Sequence, residues 1–92
     1  MSVTIKLPTQ LRSAAAGQSQ LQVDGGDVGT ALKSLCQTAP ELEGRLFDDG
    51  GELRRFVNVF LKGEDIRFLS GLETSVADGD ELTILPAVAG GA

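Results

Sequence analysis

Histidine, tryptophan and tyrosine are absent from this chain, and there is one cysteine, Cys36. Without histidine there is no ordinary zinc site and no imidazole to serve as a base for a nucleophile. One cysteine excludes an internal disulfide. Positive charge is scarce: eight Lys and Arg stand against thirteen Asp and Glu, a net charge of -5. That balance argues against nucleic acid, which needs a basic footprint. An acidic surface suits a partner with a basic docking face, and serves solubility equally well. No apolar run approaches the roughly 18 residues of a membrane span. No basic segment precedes an apolar one as in a secretory leader. The expectation is a cytoplasmic protein with no membrane association.

With 92 residues, one domain is expected. At this size roughly 60–65% of the unfolded surface can be buried, enough for one modest core. Glycine is abundant, and it sits at punctuation points: Gly25-Gly26, Gly50-Gly51, Gly63, Gly71, Gly79 and Gly90-Gly91. Many short elements joined by tight turns are expected from that pattern.

Val3, Ile5 and Leu7 alternate with Thr4 and Lys6, the period of a half-buried strand, which stops at Pro8. Residues 9–17 read as a connecting loop, with Leu11 expected to tuck beneath it. Gln18 to Val23 alternates again, giving a hairpin over residues 3–23. Asp27 is a good N-cap. Val28, Ala31, Leu32, Leu35 and Cys36 then form one apolar helical stripe, ended by Pro40 close to Thr38. Glu41 to Phe47 can form one helical turn. Asp48 to Glu52 is a loop. Arg55-Phe56-Val57-Asn58-Val59-Phe60-Leu61 is the strongest strand pattern in the chain. A turn at Lys62–Asp65 leads to a very short strand, Asp65–Arg67. Residues 68–76 are irregular, with one helical turn near Leu72. Asp78-Gly79-Asp80 turns into the last strand, Glu81 to Leu85.

Runs of this kind with one main helix predict an α+β fold with the helix across one face of the sheet. If the first and last strands lie side by side at the centre, a helix crossover separates two hairpins. That arrangement is the β-grasp, or ubiquitin-like, fold: a mixed four- to five-stranded sheet with one main helix packed on it. The domain is expected over residues 1–86, with 87–92 as a flexible diglycine tail.

Few constellations invite chemistry. Gly25-Gly26-Asp27-Val28-Gly29 precedes a helix but lacks the spacing and lysine of a phosphate loop, so a turn with an N-cap is the better reading. Cys36 lies on the apolar stripe and reads as a small core hydrophobe. Asp48-Asp49 and Asp78/Asp80 read as turn residues, the latter too short for a calcium loop. Arg54-Arg55 reads as a solvated charge pair. No metal site, triad or acid–base pair remains, so no catalytic residue is expected and the chain is not expected to be an enzyme.

Two features are left. From Phe56 to Leu61 both strand faces are apolar: Val57, Val59 and Leu61 on one, Phe56 and Phe60 on the other. One set can meet the helix. The other, Phe56 and Phe60, is a candidate partner-docking patch, unless the chain's own loop or a second copy covers it. The second feature is the tail after Pro86, Ala87-Val88-Ala89-Gly90-Gly91-Ala92. It has too little apolar area to repay its ordering entropy. Val88, Ala89 and Gly90 suit threading through a narrow channel, because small residues and glycine clash least. A glycine carboxylate also offers the least hindered carbonyl to attack. The plain alternative is a frayed terminus.

The strand Arg55–Leu61, the segment Asp65-Ile66-Arg67-Phe68 and the run Ala77-Asp78-Gly79-Asp80-Glu81-Leu82-Thr83-Ile84-Leu85-Pro86-Ala87-Val88-Ala89-Gly90-Gly91 resemble the MoaD/ThiS group of ubiquitin-like sulfur carriers. Within the group the chain is most similar to the CysO-type carriers of cysteine biosynthesis. The resemblance implies that a MoeB/ThiF-type activating enzyme adenylates the Gly91 carboxylate, using ATP and magnesium bound by that enzyme and not by this chain. A sulfur donor then forms a thiocarboxylate. The acceptor is a cysteine synthase-like enzyme, the large subunit of molybdopterin synthase, or the enzyme of a thiazole precursor. The family's pattern ends at the second glycine, whereas this chain continues to Ala92. Removal of Ala92 by a zinc metalloprotease is the implied processing step. Alternatives are a modifier forming isopeptide bonds through the same tail, a small subunit of an enzyme complex, or a plain β-grasp interaction module in which the tail plays no part.

Overall fold

The fold is described by a computed structural model over residues 2–54 and 57–86. Arg55, Phe56 and the tail, residues 87–92, lie outside the described residues. The elements are β1 (Ser2–Lys6), α1 (Thr9–Arg12), β2 (Gln20–Asp24), α2 (Val28–Thr38), α3 (Glu43–Leu46), β3 (Val57–Leu61), β4 (Glu64–Asp65) and β5 (Glu81–Pro86). Short 3-10 turns at Ser13–Ala15, Pro40–Leu42, Ile66–Phe68 and Gly71–Glu73 join them.

The sheet has five strands in the order β2-β1-β5-β3-β4. β1 and β5 are parallel at its centre, and each pairs antiparallel with its hairpin partner. This is the β-grasp arrangement expected from the sequence. The parallel pair is set by the Asp78-Gly79-Asp80 turn. Gly79 N–H donates to Ser2 O (2.7 Å), Thr4 N–H donates to Asp80 O (3.0 Å), and Asp78 Oδ1 accepts from Ser2 N–H (2.8 Å). Gly79 takes φ +87°, a conformation most side chains avoid.

Period two assigns the two sheet faces. Val3, Ile5, Val57, Val59, Leu61, Leu82 and Ile84 point inward and are buried. Onto them packs the apolar stripe of α2, every member of which is buried: Val28, Ala31, Leu32, Leu35 and Cys36. Asp27 caps α2 as expected, its Oδ1 accepting from Thr30 N–H (2.7 Å). α2 ends at Thr38, and Leu42 and Leu46 of the next two turns complete the core.

Three segments differ from the sequence expectation. Residues 9–17 are not a plain loop. They form α1 and a 3-10 turn that buries Ala14 and Ala15, with Leu11 partly buried against the core. The strand expected at Asp65–Arg67 runs instead over Glu64–Asp65, inside the expected turn, and ends there because Asp65 Oδ1 takes the Arg67 N–H (2.9 Å) and bends the chain into a 3-10 turn. Arg54 is not a freely solvated charge: its Nε donates to Gly44 O (2.9 Å).

Candidate functional site

The face of the sheet opposite α2 is built by alternation. Along β3 it presents Asn58 and Phe60, and along β5 Glu81, Thr83 and Leu85. Phe60 lies across from Thr83, and Asn58 across from Leu85. Phe60 and Leu85 are therefore diagonal neighbours on one face, typically about 7–8 Å apart. Phe60 is half-buried, and Leu85 is 45% exposed. After β4, the 3-10 turn Ile66–Phe68 exposes Phe68 (86%), and Leu69 follows it. Phe60 thus sits on the face where alternation put it; Phe56, its expected companion, is outside the described residues.

Leu85 and Phe68 were not singled out by the sequence. A signal existed for Leu85. Leu82 and Ile84 face the core, so the residue after Ile84 must point outward although it is apolar. Phe68 falls in a segment without period, where no face can be assigned.

This face leads to the tail. Val57 and Pro86 are register partners at the end of the β3–β5 ladder. Val57 N–H donates to Arg54 O (3.0 Å) rather than across to β5. Pro86 therefore occupies a pair in which no N–H is needed, and proline ends the strand at no cost in hydrogen bonds. The residues assigned to chemistry, Gly91 with Val88, Ala89, Gly90 and Ala92, follow Pro86 outside the described residues.

Among the described residues, the rest of the surface offers no competing reactive group. Cys36 is buried, and burial, with the nearby Glu43 carboxylate, pushes its thiol up to about 11, so it stays protonated. No cluster of three or more metal-ligating side chains exists among the described residues. Asp48 Oδ1 is taken up by the N–H groups of Gly50 (2.8 Å) and Glu52 (3.1 Å), and Asp80 Oδ2 by Ala77 N–H (2.8 Å). Gly25 marks a close packing contact, not an anion cradle, since a Cβ there would stand 2.7 Å from Ala31 N. No helix among the described residues is long and apolar enough to cross a membrane.

The model of the ThiS family matches residues 5–91. The chain belongs to the ThiS family. Its relatives include sulfur carriers and small archaeal modifiers. The sulfur carrier protein CysO of Mycobacterium tuberculosis is 44% identical over 93 residues, covering 99% of this chain and 100% of CysO. A chain in the crystal structure of the Amycolatopsis orientalis BexX/CysO complex is 42% identical with a TM-score of 0.89, covering 97% of this chain and 99% of that one. The small archaeal modifier protein 1 of Methanosarcina acetivorans is 40% identical with a TM-score of 0.87, covering 98% and 96%. The ThiS-family match stops at Gly91, so Ala92 lies beyond it.

Proposed function

We propose that this ThiS-family chain is a sulfur carrier that works through the carboxyl group of Gly91, with cysteine biosynthesis as its pathway. The observation that carries this reading is full-length similarity to CysO, together with a family match that ends on Gly91. While Ala92 is attached, the Gly91 carbonyl is an amide and cannot be activated. A zinc metalloprotease first hydrolyses the Gly91–Ala92 bond. A MoeB/ThiF-type enzyme, holding ATP and magnesium, then docks on the face that includes Phe60. Val88, Ala89 and Gly90 thread into its active site. A Gly91 carboxylate oxygen attacks the α-phosphorus of ATP and pyrophosphate leaves. Sulfide attacks the acyl carbon of the adenylate, AMP leaves, and a thiocarboxylate remains. Catalysis belongs to the partners; this chain is their substrate and carrier.

The test is intact mass after incubation with activating enzyme, ATP and sulfide. A chain ending at Gly91 should exchange one oxygen for sulfur, and the chain ending at Ala92 should not. Sulfur gain on the uncut chain would sink the processing step. Failure of the cut chain to gain sulfur would sink the carrier reading. Similarity to the archaeal modifier favours a second reading, an isopeptide link from Gly91 to a lysine. Covalent conjugates resistant to denaturing gels would support it.

A further inference from the structure

β4 pairs with Phe60 and Leu61, so the β4 side of β3 is unpaired by strand at Val57–Val59. Arg67 occupies that gap. Its Nη1 donates to Asn58 Oδ1 (2.8 Å), and its Nη2 donates to both Val57 O (2.9 Å) and Arg54 O (3.0 Å). Its own backbone is held in turn, since Arg67 N–H donates to Asp65 Oδ1 (2.9 Å). The two carbonyls gripped by Nη2 belong to Arg54 and to Val57, the first residue of β3. Val57 also pairs with Pro86, the last strand residue before the tail. A planar guanidinium can serve three acceptors in fixed geometry; an ammonium on a flexible stem cannot.

We propose that Arg67 is a positioning residue for partner docking. Its fork fixes Val57 and Asn58 at the start of β3, the strand whose outer face carries Phe60, and through Val57 the strand pair that ends at Pro86. This inference rests on the sulfur-carrier reading, in which the face bearing Phe60 meets the activating enzyme. Arg67 takes no part in the chemistry at Gly91. Its loss weakens docking and leaves turnover of the docked complex intact.

The experiment compares wild type, Arg67→Ala and Arg67→Lys, each ending at Gly91, in pyrophosphate release by the activating enzyme. In Arg67→Ala the KM for the carrier should rise about tenfold with kcat within about twofold, the signature of lost binding alone. Arg67→Lys should show most of that rise, although it keeps the charge. Hydrogen exchange at the Val57 amide should quicken in both variants, while their melting temperatures stay close to wild type. Unchanged KM in both variants overturns the proposal, and so does full rescue by lysine. Equal losses in kcat and melting temperature would mean a merely structural role and overturn it too. If wild type itself releases no pyrophosphate, the carrier reading has failed. The Val57 amide then decides alone, and unchanged exchange there overturns the fixing role of Arg67.

Discussion

Asp27 does two jobs with one carboxylate. Its Oδ1 accepts Thr30 N–H at the start of α2, and that bond lowers its pKa; the Thr30 side chain and Lys33 act in the same direction. A carboxyl whose folded pKa is depressed contributes stability above its unfolded pKa and loses it as pH falls through the folded one. The window therefore lies below about pH 4. Asparagine caps helices about as well but carries no titrating charge. Asp27→Asn should lose less melting temperature between neutral and acid pH than wild type does. Equal losses would show that the charge on the cap contributes nothing. Asp27 was legible in the sequence, because an N-cap is a local choice between one side chain and the backbone beside it. The grip of Arg67 on Arg54 and Val57 was not legible. Those contacts span 13 and 10 residues and depend on a strand ending early.

At the scale of elements, α2 and the strands could be read because burial on one face writes a period into the sequence. Residues 9–17 could not. Their buried members, Ala14 and Ala15, are too small to stand out from loop composition. The outer face of β3 was readable at Phe60 because Val57, Val59 and Leu61 claim the other side. The tail could be singled out by composition, since small residues and glycine clash least, but the chemistry expected at Gly91 came only through family resemblance. The approach of the turn before α2 to the helix itself is a tighter constraint than either. A Cβ on Gly25 would lie 2.7 Å from Ala31 N and 2.8 Å from Ala31 Cα, both backbone atoms that cannot swing aside. Gly25→Ala should therefore destabilise the domain by about 1–3 kcal/mol, the usual cost of overpacking. Gly26, with nothing within 4 Å of its Cβ position, is the control. Similar urea midpoints for Gly25→Ala and Gly26→Ala would refute the contact.

Taken whole, the molecule buries one face of its sheet and turns the other outward, and two neighbours on β5 let the two faces be compared. Ile84 points inward and is fully buried, whereas Leu85 points outward and is 45% exposed. Truncating a buried isoleucine typically costs about 2–5 kcal/mol, because a cavity is added to the lost transfer energy. Ile84→Ala should thus lower the unfolding free energy by an amount in that range. Leu85→Asp gives up only the burial of a half-exposed side chain and leaves no closed cavity, so its unfolding midpoint should move much less than that of Ile84→Ala. Yet it places a charge on the face proposed to meet the activating enzyme, where an unpaired carboxylate is costly to desolvate. Its KM in the pyrophosphate assay should rise about tenfold or more, the equivalent of roughly 1.4 kcal/mol. The two substitutions are one residue apart and predict opposite outcomes in two measurements. If Leu85→Asp destabilised the fold as much as Ile84→Ala and left KM alone, the outer face would not be the docking face. Recognition would then have to rest on the tail.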